Sequence, residues 1–106
     1  MFRFGKKIVD KAAWAAAVFE QPVKNPEKLT EKELHAMTDM MLYQHARIIM
    51  ESVEIIRNTR NADTRLGRID LCKKHYAQMK LLEPFSDEKQ LSLINDCEQA
   101  LARIGL

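Results

Sequence analysis

The residues best suited to chemistry are Cys72 and Cys97, His35, His45 and His75, and Ser52, Ser86 and Ser92. A structural zinc takes four nitrogen or sulfur ligands at short spacing. The two cysteines stand 25 positions apart, with no C-x-x-C and no neighbouring histidine pair. They are expected to be reduced thiols packed in the core of a cytoplasmic protein. A disulfide between the last two helices is the alternative in an oxidising compartment. No two histidines are four apart, and neither H-E-x-x-H nor the Glu-x-x-His of a di-iron bundle occurs. His35 and Asp39 have the spacing of a solvent-facing pair on one helix. The serines lie within or at the start of helical stretches, without a G-x-S-x-G elbow. Glycines at 5, 67 and 105 are too scattered to cradle a phosphate. Met37, Met40, Met41 and Met50 read first as core filler and next as a groove for a partner helix, and Met37, Met40 and Met41 last as a copper site with His35. The expectation is a protein that is not an enzyme and carries no cofactor and no metal.

These residues sit on helices. The longest signal runs from Leu29 to Arg57. Thr30 and Glu33 form a capping box, and Leu29 and Leu34 have the spacing of a hydrophobic staple. Leu42, Ala46, Ile49, Val53 and Ile56 make one seam, and Leu34, Met37, Met41, Ile48 and Ile55 make a second beside it. Two seams on one helix predict partners on two sides, the place of a central helix in a bundle.

Ahead of it, residues 6–20 predict a helix with Phe4, Ile8, Ala12, Ala15 and Phe19 on one face and Trp14 off that face. The run is too short to span a bilayer and is interrupted by Asp10 and Lys11, unlike a signal peptide. Pro22 and Pro26 mark residues 21–29 as a linker. Asn61 or Asp63 caps a third helix ending near Leu82, with Leu66, Ile69, Cys72, Tyr76 and Met79 inward and Leu71, His75 and Leu82 on a thinner stripe. Gly67 within it reads either as close approach of a neighbouring helix or as a merely tolerated glycine. The last helix starts at Ser86 or Asp87 and ends before Gly105, with Leu91, Ile94, Cys97, Leu101 and Ile104 as its seam. The turn Asn58-Thr59-Arg60-Asn61-Ala62-Asp63-Thr64 with Arg68-Ile69-Asp70-Leu71 resembles a connector of small helical proteins of bacteria and their phages. That resemblance implies no activity.

The chain therefore predicts one all-α domain over 1–106, an antiparallel three-helix bundle core over 30–106 plus an N-terminal amphipathic helix, four helices in total. Charge is divided along it. Positions 57–80 carry seven basic residues against two acidic ones, a net of +5, whereas 30–56 carry five acidic against two basic, a net of −3. The expected function is protein–protein interaction, as an adaptor, accessory or self-associating module. A homodimer would use Phe4, Ile8, Trp14 and Phe19 with Leu71, His75 and Leu82. The second reading is a DNA-associated regulator using Arg57, Arg60, Arg65, Arg68, Lys73 and Lys74, although on a helical wheel these flank the core stripe rather than converge. The third is attachment of residues 1–20 to a membrane surface.

Overall fold

The computed structural model describes Ile8 and residues 10–18 and 25–106. The described residues form four α-helices and no strand: α1 (Lys11–Ala17), α2 (Glu31–Asn58), α3 (Ala62–Leu82) and α4 (Glu88–Arg103). Short 3-10 turns, Pro26–Lys28 and Glu83–Phe85, lead into α2 and out of α3.

Every helix start has a side chain that accepts a backbone N–H. Thr30 Oγ1 takes the Glu33 N–H at 3.1 Å while Glu33 Oε1 takes the Thr30 N–H at 3.0 Å. Those two bonds from Thr30, the backbone one foremost, hold the Glu33 carboxyl below the ordinary carboxylate range. Asn61 caps α3. Asp87 and Gln90 form a second capping box at α4, a pairing that the residue types allow but that the sequence reading did not single out. Gly105 closes the chain's last turn at φ 85°, a left-handed conformation that glycine takes without strain.

The long helix α2 is the spine, packed most extensively against α3 and next against α4. Leu42, Ala46, Ile49, Val53 and Ile56, its expected seam, are all buried. The second stripe is intermediate: Leu34 is buried, while Met37, Met41, Ile48 and Ile55 are half-buried. Interleaved with these are three buried polar side chains, Thr38, His45 and Ser52, which an apolar periodicity does not register.

Several expectations are corrected. The first helix starts at Lys11, not near Lys6, because the Asp10 carboxylate caps it by accepting the Ala13 N–H at 2.9 Å. Its inward face is Trp14 and Val18, both buried, while Ala12 is exposed. Trp14 is thus the anchor of α1 rather than an outlier. Its Nε1–H donates to Thr38 Oγ1 at 2.8 Å, and Thr38 in turn donates to the Leu34 carbonyl. Ile8 lies outside the helix, also buried, and its N–H donates to Glu31 Oε2 at 2.8 Å. Lys11 Nζ donates to the Leu29 carbonyl at 2.8 Å. The first helix is therefore docked on its own chain at both ends.

Gly67 meets no close neighbour, since a Cβ there would touch nothing within 4 Å. Leu66 is 60 % exposed and Leu91 39 % exposed, so neither belongs to the core. The reason at Leu66 is length: Leu101, near the end of α4, and Leu106, past that end, line the same cavity as Cys72. The first turns of α3 project past them and have mainly α2 beside them. His35 pairs not with Asp39 but with Asp87, Nε2 to Oδ2 at 2.7 Å.

Candidate functional site

The polar groups brought together by the fold form two clusters and one groove. In the first cluster the N-terminal ends of α2 and α4 are joined. Asp87 uses Oδ1 to cap α4 through the Gln90 N–H at 2.7 Å and Oδ2 to hold His35. Gln90 Oε1 accepts the Asp87 N–H at 2.9 Å, and its Nε2 reaches Asp39 Oδ1 at 3.4 Å. These bonds fix α4 in register along α2, parallel to it.

The second cluster joins α2 to α3. His45 Nδ1 and His75 Nδ1 lie 2.8 Å apart, with ring centroids 5.1 Å apart and planes tilted by 49°. At that distance one Nδ1 carries the shared proton and the other accepts it. Below it the Cys72 thiol lies 3.9 Å from the Ile49 carbonyl. Beside Cys72 sits Ser52, whose buried hydroxyl has no nitrogen or oxygen partner. Burial pushes the Cys72 thiol up, partly offset by Ser52 and Arg68. Burial, followed by the Asp96 charge, pushes Cys97 up to about 11. Both cysteines are free and buried. Thiols held protonated in this way are poor nucleophiles and poor ligands. Ser86 donates to the Leu82 carbonyl at 2.8 Å, closing the turn ahead of α4. Among the described residues, no three His, Cys, Asp or Glu side chains converge on a point that could hold a metal.

The groove runs between α2 and α4. At one end Asp39 and Tyr43 of α2 face Lys89, Leu93 and Asp96 of α4 around a cavity of about 430 Å³. At the other, Met50, Glu54 and Arg57 face Ala100, Arg103 and Ile104 around one of about 420 Å³. The α2 wall of this groove carries two exposed large apolar side chains, Tyr43 at 65 % and Met50 at 39 %; Met40, 54 % exposed, lines neither end. A third, smaller cavity of about 180 Å³ lies between α3 and α4, lined by Cys72, Lys73, Tyr76 and Glu98 among others.

Of the residues expected at a partner interface, Ile8, Trp14 and Leu82 are buried within the chain itself. Leu71 and His75 are half-buried on α3. Phe4 and Phe19 lie outside the described residues. An interface or membrane face built on Ile8 and Trp14 would require α1 to leave its own core. The basic residues are dispersed. Arg57 faces the groove with Arg103, and Lys73 lines the cavity beside Glu98. Arg60 and Arg65 are exposed around the α2–α3 turn, Arg68 is half-exposed, and Lys74 is exposed further along α3. Tyr43, Leu93 and Ala100 were missed at the sequence level. The available signal was the run Leu93, Asp96, Ala100, Arg103, which repeats at helical spacing beside the α4 seam.

No family model, curated protein or solved structure matches the chain. Among the described residues, no helix is long and apolar enough to cross a membrane.

Proposed function

We propose that the protein is a small non-enzymatic helical module that works through protein–protein contact in the cytoplasm, with a second copy of itself as its first partner. The observation that carries this is the pair of exposed apolar side chains Tyr43 and Met50, which line the α2 wall of an open groove. Contiguous exposed apolar surface of this kind marks interaction sites on soluble proteins, and two-fold dimers are the commonest assembly of identical chains. The surface total supports it. The chain exposes 7290 Å², where a monomer of its 12.3 kDa mass is expected to expose about 6100 Å². Its radius of gyration is 15.3 Å, against about 13 Å for a compact domain of this length. Sedimentation equilibrium of the intact chain at micromolar concentration tests the proposal: a dimer mass is expected, and a monomer at every concentration rejects it.

A second reading has its own observation. Arg60 and Arg65 flank the α2–α3 turn, both exposed, with the exposed Leu66 beside them. Contact with a phosphate backbone there predicts DNA binding that weakens steeply with salt. Fluorescence anisotropy with a labelled duplex at low and high salt separates that from no binding.

A further inference from the structure

Self-association, as proposed above, leaves open which face pairs and in which orientation. The groove between α2 and α4 answers both. Its two ends differ in charge. Asp39, Asp96 and Lys89 surround one end and give it a net −1, while Arg57, Arg103 and Glu54 surround the other and give it a net +1. A two-fold axis parallel to the helices would set each end against its own like. An axis perpendicular to them sets each end against its opposite. It also runs the parallel pair α2 and α4 antiparallel to the partner's pair, which opposes their helix dipoles favourably.

The positions of the charges agree on one centre. Asp39 and Arg57 are symmetric about position 48 of α2, and Asp96 and Arg103 about a point between 99 and 100 of α4. The bond from Gln90 to Asp39 fixes the register between these helices. It carries position 48 of α2 to position 99 of α4. Two acid–base pairs on two different helices therefore share a single axis. Near that axis Arg47 is held by Glu51 at 3.2 Å, so no uncompensated charge sits at the middle. Tyr43 and Met50 lie on either side of it, where exposed apolar side chains are needed.

We infer that the α2–α4 groove is the seat of a second copy of this chain, related by a two-fold axis perpendicular to the helices near position 48. Asp39 and Asp96 of one copy then face Arg57 and Arg103 of the other.

Sedimentation equilibrium on five variants tests this. Tyr43→Asp is expected to weaken dimerisation by about tenfold or more, as loss of a central aromatic contact does. Leu66→Asp, equally exposed but on α3 and outside the groove, is expected to leave it unchanged. Asp96→Lys and Arg103→Glu are each expected to weaken it, and the double variant to recover most of the loss. Circular dichroism of each variant must match the parent. A dimer unmoved by Tyr43→Asp rejects the groove while self-association stands. A double variant no better than its singles rejects the perpendicular axis. A parent chain that is monomeric throughout rejects self-association itself.

Discussion

Thr30 and Cys97 show two ways in which a single group sets stability in this chain. The Thr30 hydroxyl satisfies a backbone N–H that the start of α2 would otherwise leave bare. Thr30→Ala is expected to lower unfolding free energy by about 1 kcal/mol, read as a shifted urea midpoint with unchanged slope. The reciprocal partner Glu33 has its carboxyl pKa lowered. Its contribution is therefore complete above the ordinary glutamate range and is lost as pH falls through the lowered value. Cys97 works at the opposite end of the scale. Its thiol pKa is raised from 9.0 to about 11, so the folded state keeps a proton that the unfolded state releases. Stability is full below pH 9 and falls as pH rises to about 11. The melting temperature of the parent should drop more steeply over that interval than that of Cys97→Ala, and a thiol reagent at neutral pH should label neither cysteine until the chain unfolds.

At the scale of elements, α4 is positioned by its N-cap residue as much as by its seam. The Asp87 carboxylate caps the helix with one oxygen and binds His35 of α2 with the other. Asp87→Asn keeps a cap-competent oxygen but replaces the carboxylate that faces His35, whereas Asp87→Ala removes both. The alanine variant is expected to lose about 1 kcal/mol or more through the cap alone, and the asparagine variant distinctly less, in parallel denaturation curves. Equal losses would assign the stabilisation to the Asp87–His35 contact instead. How legible each element was follows from the same local chemistry. The cap and seam of α2 lie in one stretch of sequence, so its start and its inward face could be read directly. For α1 they could not, because alanines on every side blur the periodicity. What selects Trp14 as the inward residue is Thr38, 24 positions away. The histidine pair is separated by 30 positions, and nothing in either helix alone announces it. Leu66 and Leu91 keep the period of their helices but lack a neighbour to face, a fact of helix length and packing rather than of pattern. The groove was legible only as an excess of apolar stripe on α2. Its opposite wall on α4 needed the register fixed by Gln90 and Asp39.

For the molecule as a whole, the docking of α1 divides the surface in two. Ile8 and Trp14 bond to Glu31 and Thr38 of α2, α3 packs along α2 and touches α1, and the side of α2 left over faces the open groove with α4. Removing residues 1–20 strips the buried Ile8, Trp14 and Val18 from the core, and deleting one large buried side chain alone typically costs about 3–5 kcal/mol. The truncated chain is expected to unfold at much lower denaturant or to aggregate, a result that cannot be confused with loss of the groove interface. Thr38→Val should loosen α1 more gently, by leaving the indole N–H of Trp14 buried without an acceptor, at about 1–3 kcal/mol.

The chain contains one tryptophan, wholly buried between α1 and α2. All of its indole emission therefore comes from that single junction. The folded protein should emit at short wavelength and resist quenching by iodide, and a red shift should track the departure of α1 alone. Circular dichroism follows mostly α2, α3 and α4, which are 28, 21 and 16 residues long against seven in α1. Coincident urea curves from the two signals would make the chain one cooperative unit. An earlier transition by fluorescence would mean that α1 undocks first, baring Thr38 and Leu34 while the other three helices hold.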